Sequence, residues 1–384
     1  MERCSCCQHG LDRGKNSVPC WSTSGQLLLA IQNCNIIWLK TLLSAPDKDF
    51  SIPEGNYMCQ AAETGDAGIV LELLAAGANP NEKSVSLCKR RPIHICAEQG
   101  FLDCLEVLVS HGAHVNQQDS HKRTALHFAA QQGHEGSIKW LINHGALVDE
   151  TDTDRYTPLN VAACLGYGRA CEFLLALGGA DVSNLSNDGW SPLHMATNYG
   201  HVEVVRILFS FGASAWGKTL EGETALHMAC AKGFTDLAQI LLDHGADIES
   251  CDNHGATPLH YAIYYGHLEV VYKLLKSGAN IDSRSVPASS CPLNLAAVRG
   301  DHEMLHLLQR AGYVICPHVA AVMHGRNNIS EQYRDEISKF PSLRDLSVWK
   351  IRGVLAPNLQ SKAMNLPIPL VMKKLVVFHD LKIR

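Results

Sequence analysis

The stretch TALHFAAQQG, residues 124–133, contains the pattern from which the fold follows. Thr124 can cap the start of a helix with its hydroxyl group. Ala129 and Ala130 have almost no side chain, so a neighbouring helix can approach closely. Gly133 can adopt the left-handed conformation that ends a helix. The stretch therefore predicts one short helix with a defined start and a defined end.

The same pattern recurs along most of the chain. Seven four-residue signatures start 33, 33, 34, 33, 33 and 34 residues apart, and a glycine stands nine residues after each start. They are RPIH at Arg91, TALH at Thr124, TPLN at Thr157, SPLH at Ser191, TALH at Thr224, TPLH at Thr257 and CPLN at Cys291. Two weaker members lie upstream, at 56–65 and 28–44. A fixed period of this length indicates a repeat architecture.

A second helix is predicted after each of these glycines. In the unit that begins at Ser191, apolar residues recur at spacings of three and four over 202–209, and Gly212-Ala213 follows. Two short helices cannot bury their apolar faces alone, so the units must stack to form a core. We therefore expect an all-α solenoid of about nine repeats, the first of them an atypical N-terminal cap.

These signatures resemble the ankyrin repeat, whose pattern is Thr-Pro-Leu-His-x-Ala at a period of 33. The resemblance covers residues 26–313. It implies an array that offers a long surface for binding other proteins, and not a pocket. We divide the chain into a flexible N-terminal tail (1–25), the repeat array (26–313), a bridging segment (314–340) and a C-terminal segment (341–384).

The composition is that of a globular, mildly acidic chain. Its 384 residues are 46% hydrophobic and 18% charged, with a net charge of −5. A negative balance disfavours nucleic-acid binding through a basic face. No apolar run approaches the about 18 residues that a membrane span needs. We expect a cytoplasmic or nuclear protein that binds neither nucleic acid nor membrane.

The fifteen cysteines are interpreted as reduced thiols, because their number is odd and most lie within repeats. Cys96, Cys164 and Cys230 stand at alanine-like positions and are expected in the core. The N-terminal set has one Cys-x-x-Cys pair, whereas a structural zinc site usually needs a second. A flexible tail is favoured there over metal binding or acylation. That set is Cys4, Cys6, Cys7, His9 and Cys20.

Histidine occupies the fourth signature position in five repeats. Its ring can bond back to the capping residue of its own turn, so we interpret these histidines as structural. They are His94, His127, His194, His227 and His260. The sequence has no nucleophile elbow, phosphate-binding loop or paired-carboxylate motif. We expect no catalytic residue, no metal and no cofactor, and thus a protein that is not an enzyme.

Large aromatic residues depart from the repeat at positions that do not pack the core. Such positions are free to serve binding, and exposed aromatic residues are typical anchors of protein partners. The predicted substrate-binding residues are Tyr156, Trp190, Tyr199, Tyr264 and Tyr265, which the repeat register places on one concave side.

The C-terminal segment has a different pattern. Leu343, Leu346, Ile351 and Leu355 recur at helical spacing and form an apolar stripe that a segment of this size cannot bury alone. Further on, Leu-Pro-Ile-Pro at 366–369 favours an extended turn, because proline removes hydrogen-bond donors and restricts the preceding residue.

This segment resembles a SOCS box. In that family the motif Ser-Leu-x-x-Leu-Cys-x-x-x-(Ala/Ile/Val) binds elongin C, and Leu-Pro-x-Pro selects cullin-5. The resemblance assigns elongin binding to Ser342, Leu343, Leu346, Ser347, Ile351 and Leu355, with Ser347 at the cysteine position. It assigns cullin binding to Leu366, Pro367, Ile368 and Pro369.

The two resemblances together identify the chain as similar to the ankyrin-repeat and SOCS-box family. They imply a substrate-recognition adaptor whose array captures a protein substrate while the C-terminal segment docks elongin B/C and cullin-5 with its RING partner. Ubiquitin is then transferred by other subunits. The alternative is an ankyrin scaffold, or an inhibitory binder of a signalling or transcription factor, without ligase coupling. A zinc-dependent enzyme is the third interpretation.

Overall fold

A computed structural model of the chain describes residues 23–44, 56–86, 88–280, 296 and 301–311. Within these ranges it contains 17 α-helices and no strand, which confirms the all-α repeat fold. In chain order they are α1 Thr23–Gln32, α2 Ile36–Leu43, α3 Tyr57–Thr64, α4 Ala67–Ala75, α5 Pro92–Gln99, α6 Leu102–Ser110, α7 Ala125–Gln132, α8 Glu135–Asn143, α9 Pro158–Leu165, α10 Gly168–Ala176, α11 Pro192–Asn198, α12 Val202–Ser210, α13 Ala225–Lys232, α14 Thr235–Asp243, α15 Pro258–Tyr265, α16 Leu268–Lys276 and α17 His302–Arg310.

The helices follow one another in pairs, and each pair is one repeat. Within the described ranges there are eight pairs, from α1 and α2 to α15 and α16, and α17 is the second helix of a further repeat. Ala296, which belongs to the CPLN repeat, is helical and fully buried. The predicted N-terminal cap is formed by α1 and α2.

The described residues form two compact units. The first contains the residues up to Ala162 together with Arg169–Asp181, and the second contains Ala163–Gly168 and the residues from Val182 onward. In the first unit α1, α3, α5 and α7 pack in succession, and α2, α4, α6 and α8 form a second row. In the second unit α11, α13 and α15 pack in the same way, as do α12, α14, α16 and α17.

A histidine-based capping box starts most of the first helices. The backbone N–H of Thr124 donates to Nδ1 of His127 over 3.1 Å, and the corresponding bond forms at the other four signature histidines. The hydroxyl of Thr124 also lies 2.9 Å from this nitrogen. The structural role predicted for these five histidines is therefore confirmed.

At four of the five signature histidines the other ring nitrogen joins the repeat to the next, whereas Nε2 of His260 is buried and has no partner within the described residues. Because Nδ1 accepts a backbone N–H, the proton of the neutral ring is on Nε2, which donates to a carbonyl of the following loop. His127 bonds the carbonyl of Tyr156 at 3.0 Å, and His227 bonds that of Ala256 at 3.1 Å. His94 and His194 make the equivalent bonds at 2.8 and 3.1 Å.

Asn160 replaces the histidine in α9 and makes only the first of these two bonds. Its Oδ1 accepts the backbone N–H of Thr157 at 3.1 Å and the hydroxyl at 2.7 Å. Its Nδ2 is buried and has no partner within the described part of the chain. The capping function therefore needs only an acceptor, whereas the link to the next loop needs the imidazole ring.

Burial keeps the signature histidines neutral. Loss of hydration lowers their pKa, to about 4 at His94, His194, His227 and His260, and in the same direction at His127. The neutral ring is also the form that the two hydrogen bonds require.

Each first helix from α3 to α15 ends at a glycine with positive φ, and in several repeats an aromatic ring from the next repeat covers that glycine. Gly233 has φ +78°, and a Cβ atom there would lie 2.5 Å from the ring of His267. The same ring donates from Nε2 to the carbonyl of Ala231 at 2.9 Å. The residue after the glycine therefore supplies a second link between repeats.

The cysteine prediction needs one correction. All nine cysteines within the described ranges are free thiols, and Cys96 and Cys230 are buried. Cys164 is only half-buried, because it lies near the end of α9, where the helix projects beyond the packed row. The N-terminal cysteines and His9 lie outside the described residues.

We predict that Gly233→Ala destabilises the protein more than Gly212→Ala does. Both glycines have positive φ, at +78° and +85°, but no atom lies within 4 Å of a Cβ at Gly212. The backbone strain is thus common to both variants. In Gly233→Ala, the overlap with His267 should lower the free energy of unfolding by roughly a further 1 to 3 kcal/mol. Urea unfolding measures the difference. Equal free energies of unfolding would contradict the ring-on-glycine contact.

We predict that the free energy of unfolding falls as the pH decreases from about 6.5 to 4. In this window the unfolded chain binds protons at histidine that the buried neutral rings do not bind, so protonation favours unfolding. His227→Asn should weaken the pH dependence and also lower stability at pH 7.5, because asparagine caps the helix but cannot link the repeats.

Urea unfolding at pH 7.5 and 5.0 tests this expectation. His121→Asn, which changes an exposed loop histidine, is the matched control and should leave the pH dependence unchanged. If His227→Asn shows the same pH dependence as the unmodified chain, the signature histidines do not cause it.

Candidate binding surface

Three of the five predicted substrate-binding residues are exposed, and all three lie in the second unit. The exposed fractions are 55% for Tyr199, 55% for Tyr264 and 48% for Tyr265. Tyr199 is the residue after α11, and the other two are the last residues of α15. Their exposure follows from the repeat, because the last turn before the glycine projects beyond the row of packed helices.

Equivalent positions in the second unit form a row, which we call the helix-end row. Each member is the residue just before the glycine that ends a first helix. The row consists of Leu165, Tyr199, Lys232 and Tyr265, all of them exposed. The two tyrosines of the row are of a residue type that is enriched at surfaces that bind protein.

A carboxylate pair lies beside the tyrosines of α15. The ring of Tyr265 meets Tyr264 edge to face, with centroids 5.0 Å apart, and lies 6.5 Å from Tyr261. The hydroxyl of Tyr261 is 2.7 Å from Oε1 of Glu223 and 2.9 Å from Oδ2 of Asp252. Burial and the two carboxylates raise the pKa of Tyr261.

This arrangement leaves acceptor capacity for a partner. The single hydroxyl proton of Tyr261 can satisfy only one of the two carboxylates fully at a time. Oδ1 of the buried Asp252 already accepts the N–H groups of His254 and Ala256, so the half-buried Glu223 carries the acceptor capacity that remains for a bound polypeptide. The tyrosines and Glu223 together therefore offer both apolar contact and a hydrogen-bond acceptor.

Tyr156 and Trp190 are half-buried, which corrects the expectation that they are exposed. Both stand just before a cap residue, where the backbone closes a loop. The N–H of Asp152 donates to the carbonyl of Tyr156, and Oδ1 of Asp152 accepts the N–H of Tyr156 at 2.8 Å. Ser186 closes the loop at Trp190 in the same way. Tyr156 belongs to the first unit, and Trp190 to the second.

The repeat pattern did not predict two exposed residues in the loop between α12 and α13. Trp216 is 68% exposed and Leu220 is 67% exposed, and both lie in the loop that precedes Thr224. The indole nitrogen of Trp216 lies near Gly245, at the end of α14, and so away from the helix-end row. A large residue three positions after the Gly212-Ala213 turn was the signal that could have identified Trp216.

The first unit has a cleft of about 460 Å³. Its lining residues are Asn56, Glu63, Ser84, Ser86, Cys88, Arg90, Ile95, Glu98 and Gln99. Nη1 of Arg90 binds Oε2 of Glu98 at 2.6 Å, and its guanidinium also lies over the ring of Phe128 at 4.8 Å. Arg123 lies over the same ring at 4.5 Å and pairs with Asp119.

Nothing in the described part of the chain resembles a metal site, since no three of its His, Cys, Asp or Glu side chains are grouped to hold an ion. In the same residues, no helix has the length and apolar character needed to cross a membrane. The predicted elongin-binding and cullin-binding residues, Ser342 to Leu355 and Leu366 to Pro369, lie outside the described residues.

Comparison with known proteins places the repeats in an established family. The family model described as "Ankyrin repeats" matches three times, at residues 58–152, 137–219 and 211–285. These matches end before the C-terminal segment, and no SOCS-box family model matches the chain.

One curated relative is the potassium channel GORK of Arabidopsis thaliana. The chain is 34% identical to it over 65 residues, which are 17% of this chain and 8% of the channel. The similarity is thus restricted to about two repeats. The family match, in contrast, extends over more than half of the chain, and its signatures, helix pairs and glycine ends are all found in the structure. This chain belongs to the ankyrin-repeat family.

Proposed function

We propose that this protein is a substrate-recognition adaptor of a cullin-5 RING ubiquitin ligase. An ankyrin array is a protein-binding scaffold, and this general role follows from the fold. The specific proposal depends on one observation, namely that the array is followed by Ser-Leu-x-x-Leu at 342–346 and Leu-Pro-x-Pro at 366–369. The array would capture the substrate, and the C-terminal segment would bind elongin B/C and cullin-5.

The apolar stripe of the C-terminal segment supports the proposed elongin contact. Leu343, Leu346 and Ile351 recur at helical spacing, and a helix with an apolar stripe is stabilised by packing against a partner. Ser347 stands at the cysteine position of the motif and is similar in size but more polar. Burial of its hydroxyl without a hydrogen-bond partner would cost about 1 to 3 kcal/mol.

The helix-end row of the second unit is the proposed substrate surface. Its tyrosines do not support the stack, so their side chains are available for contact. Aromatic residues are enriched among the residues that contribute most to binding energy, and the carboxylate of Glu223 beside them adds a hydrogen-bond acceptor. An extended segment or the edge of a folded domain fits a row that crosses several repeats.

The proposed contribution to ubiquitination is physical and not catalytic. Within the complex, a lysine of the captured substrate would be tethered near the charged ubiquitin carrier. Tethering raises the effective concentration of that lysine, so transfer becomes faster without a reactive group on this chain. The place of action would be the cytoplasm or the nucleus.

The second candidate function is a scaffold or inhibitory binder without ligase coupling. Repeats similar to these occur in a protein named as a potassium channel, so the repeats alone do not imply a ligase. In this case the C-terminal segment would only cover the last repeat. Binding of elongin B/C distinguishes the two functions directly.

We predict that replacing Leu343 and Ile351 together with aspartate abolishes co-purification of elongin B/C, because two charges would enter the apolar contact. Circular dichroism should show that the array remains folded. Arg352→Asp, which helical spacing places opposite the stripe, is the control and should retain binding. If the unmodified chain forms no complex with elongin B/C at micromolar concentration in size-exclusion chromatography, the ligase proposal is wrong.

We predict that the double variant Tyr199→Ala, Tyr265→Ala loses protein partners while its thermal stability changes little. Leu193→Ala, which removes a buried side chain, should instead cost roughly 2 to 5 kcal/mol. Proximity labelling and co-purification compare the partner sets, and Trp216→Ala serves as the exposed aromatic control. If the double variant keeps the same set of partners, the helix-end row is not the substrate-binding surface.

A further inference from the structure

The loops of the first unit carry a row of basic residues in an unusual backbone conformation. Lys89, Lys122 and Arg155 each stand two residues before a cap residue, and their φ angles are +48°, +60° and +62°. All three side chains are exposed. We call these three residues the cationic strip.

Glycine occupies the equivalent position in the second unit. Gly189, Gly222 and Gly255 have φ angles of +75°, +79° and +80°, so both units need a left-handed residue at this point of the loop. A residue with a Cβ atom is strained there by roughly 1 to 2 kcal/mol, whereas glycine is not. In the first unit, three successive repeats have a strained residue at this position, and each of these residues is positively charged.

The three tips lie next to one another. The N–H of Ser120 donates to the carbonyl of Cys88, and the N–H of Thr153 donates to the carbonyl of His121, so each loop is bonded to the next. Each loop is also closed internally, because the N–H of Lys122 donates to the carbonyl of Asp119, with equivalent bonds at the other two tips. The positions of the strip residues are therefore fixed by the backbone.

The charges of the strip are not paired within the part of the chain that the structure describes. Arg90 and Arg123, in the same loops, pair with Glu98 and Asp119. In contrast, the side chains of the strip form no ion pair with a described residue. Exposed lysine and arginine side chains without an internal ion pair can attract opposite charges on another molecule.

We propose that the cationic strip binds an extended acidic segment of a partner protein, with a carboxylate at every third residue. Successive repeats are separated by the packing distance of neighbouring helices, roughly 10 Å. A polyproline II segment has three residues per turn and rises about 3.1 Å per residue, so every third side chain lies on one side, about 9 Å from the last. The two periods match.

A nucleic acid fits the strip less well. Duplex DNA carries one negative charge per about 1.7 Å and is bound by dense basic surfaces. The strip has three charges at wide spacing, Asp154 is exposed beside Arg155, and the net charge of the chain is −5. The strip thus favours a partner with few, regularly spaced carboxylates.

This site depends on the array and not on the C-terminal segment. It adds a recognition element to the proposed capture of a protein substrate, and it also applies to a scaffold without ligase coupling. Elongin B/C binding is therefore measured on the same variants, so that a failure of the strip and a failure of the ligase proposal can be told apart.

The test is fluorescence anisotropy of the full chain with a labelled peptide of three Pro-Pro-Glu units, at about 50 mM salt. The comparison peptide has the same composition, with the three glutamates adjacent in the centre. We expect tighter binding of the regularly spaced peptide and weaker binding at about 300 mM salt, because the Debye length shortens to well below 10 Å.

The decisive variant replaces Lys89, Lys122 and Arg155 with glycine. It removes the charges and relieves the strain, so we expect about tenfold weaker peptide binding together with an unfolding temperature that is equal or higher by about 3 °C. The variant Lys89→Arg, Lys122→Arg, Arg155→Lys keeps the charges and should bind as the unmodified chain does. The variant Lys139→Gln, Arg206→Gln, Lys276→Gln removes three exposed charges elsewhere and should also retain binding.

Three results would overturn the proposal: no binding of the regularly spaced peptide to the unmodified chain, equal binding by the glycine variant, or stronger binding of a DNA duplex than of the peptide. Elongin B/C binding should be the same in the glycine variant and the unmodified chain. If neither the unmodified chain nor the glycine variant binds elongin B/C, the ligase proposal is wrong, but the proposal for the cationic strip is unaffected.

Discussion

Two hydrogen bonds of one imidazole ring hold the array in register. Nδ1 of a signature histidine accepts the N–H that starts its own helix, and Nε2 donates to the carbonyl of the next loop. The first bond fixes the tautomer, and the tautomer makes the second bond possible. The ring must be neutral for both, so burial and hydrogen bonding support the same protonation state. Helix start, loop position and repeat stacking thus depend on one side chain.

The parts of the fold that depend on short stretches of sequence could be predicted. The cap at Thr124, the histidine bond back to that cap and the glycine that ends the helix all lie within ten residues. Contacts between repeats could not be predicted in this way, because they join residues about one period apart. The ring of His267 on Gly233 is one such contact.

The same difference between local pattern and longer-range contact applies to the candidate binding residues. Tyr199, Tyr264 and Tyr265 were predicted correctly as exposed, because the end of a first helix always projects from the packed row. The side chains of Tyr156 and Trp190 depend on how Asp152 and Ser186 close their loops, which the pattern of the repeat does not reveal. The exposure of Trp216 depends on the neighbouring repeat in the same way.

The links between repeats also have a consequence for how the chain folds. His94 reaches a carbonyl 23 residues ahead, His127 one 29 residues ahead, and His267 one 36 residues behind. Each repeat therefore needs only its immediate neighbours, and the chain closes many short loops instead of a few long ones. Low contact order of this kind favours fast folding that can begin at any repeat. During synthesis, each repeat can form its hydrogen bonds to the preceding repeat as soon as its own loop has left the ribosome.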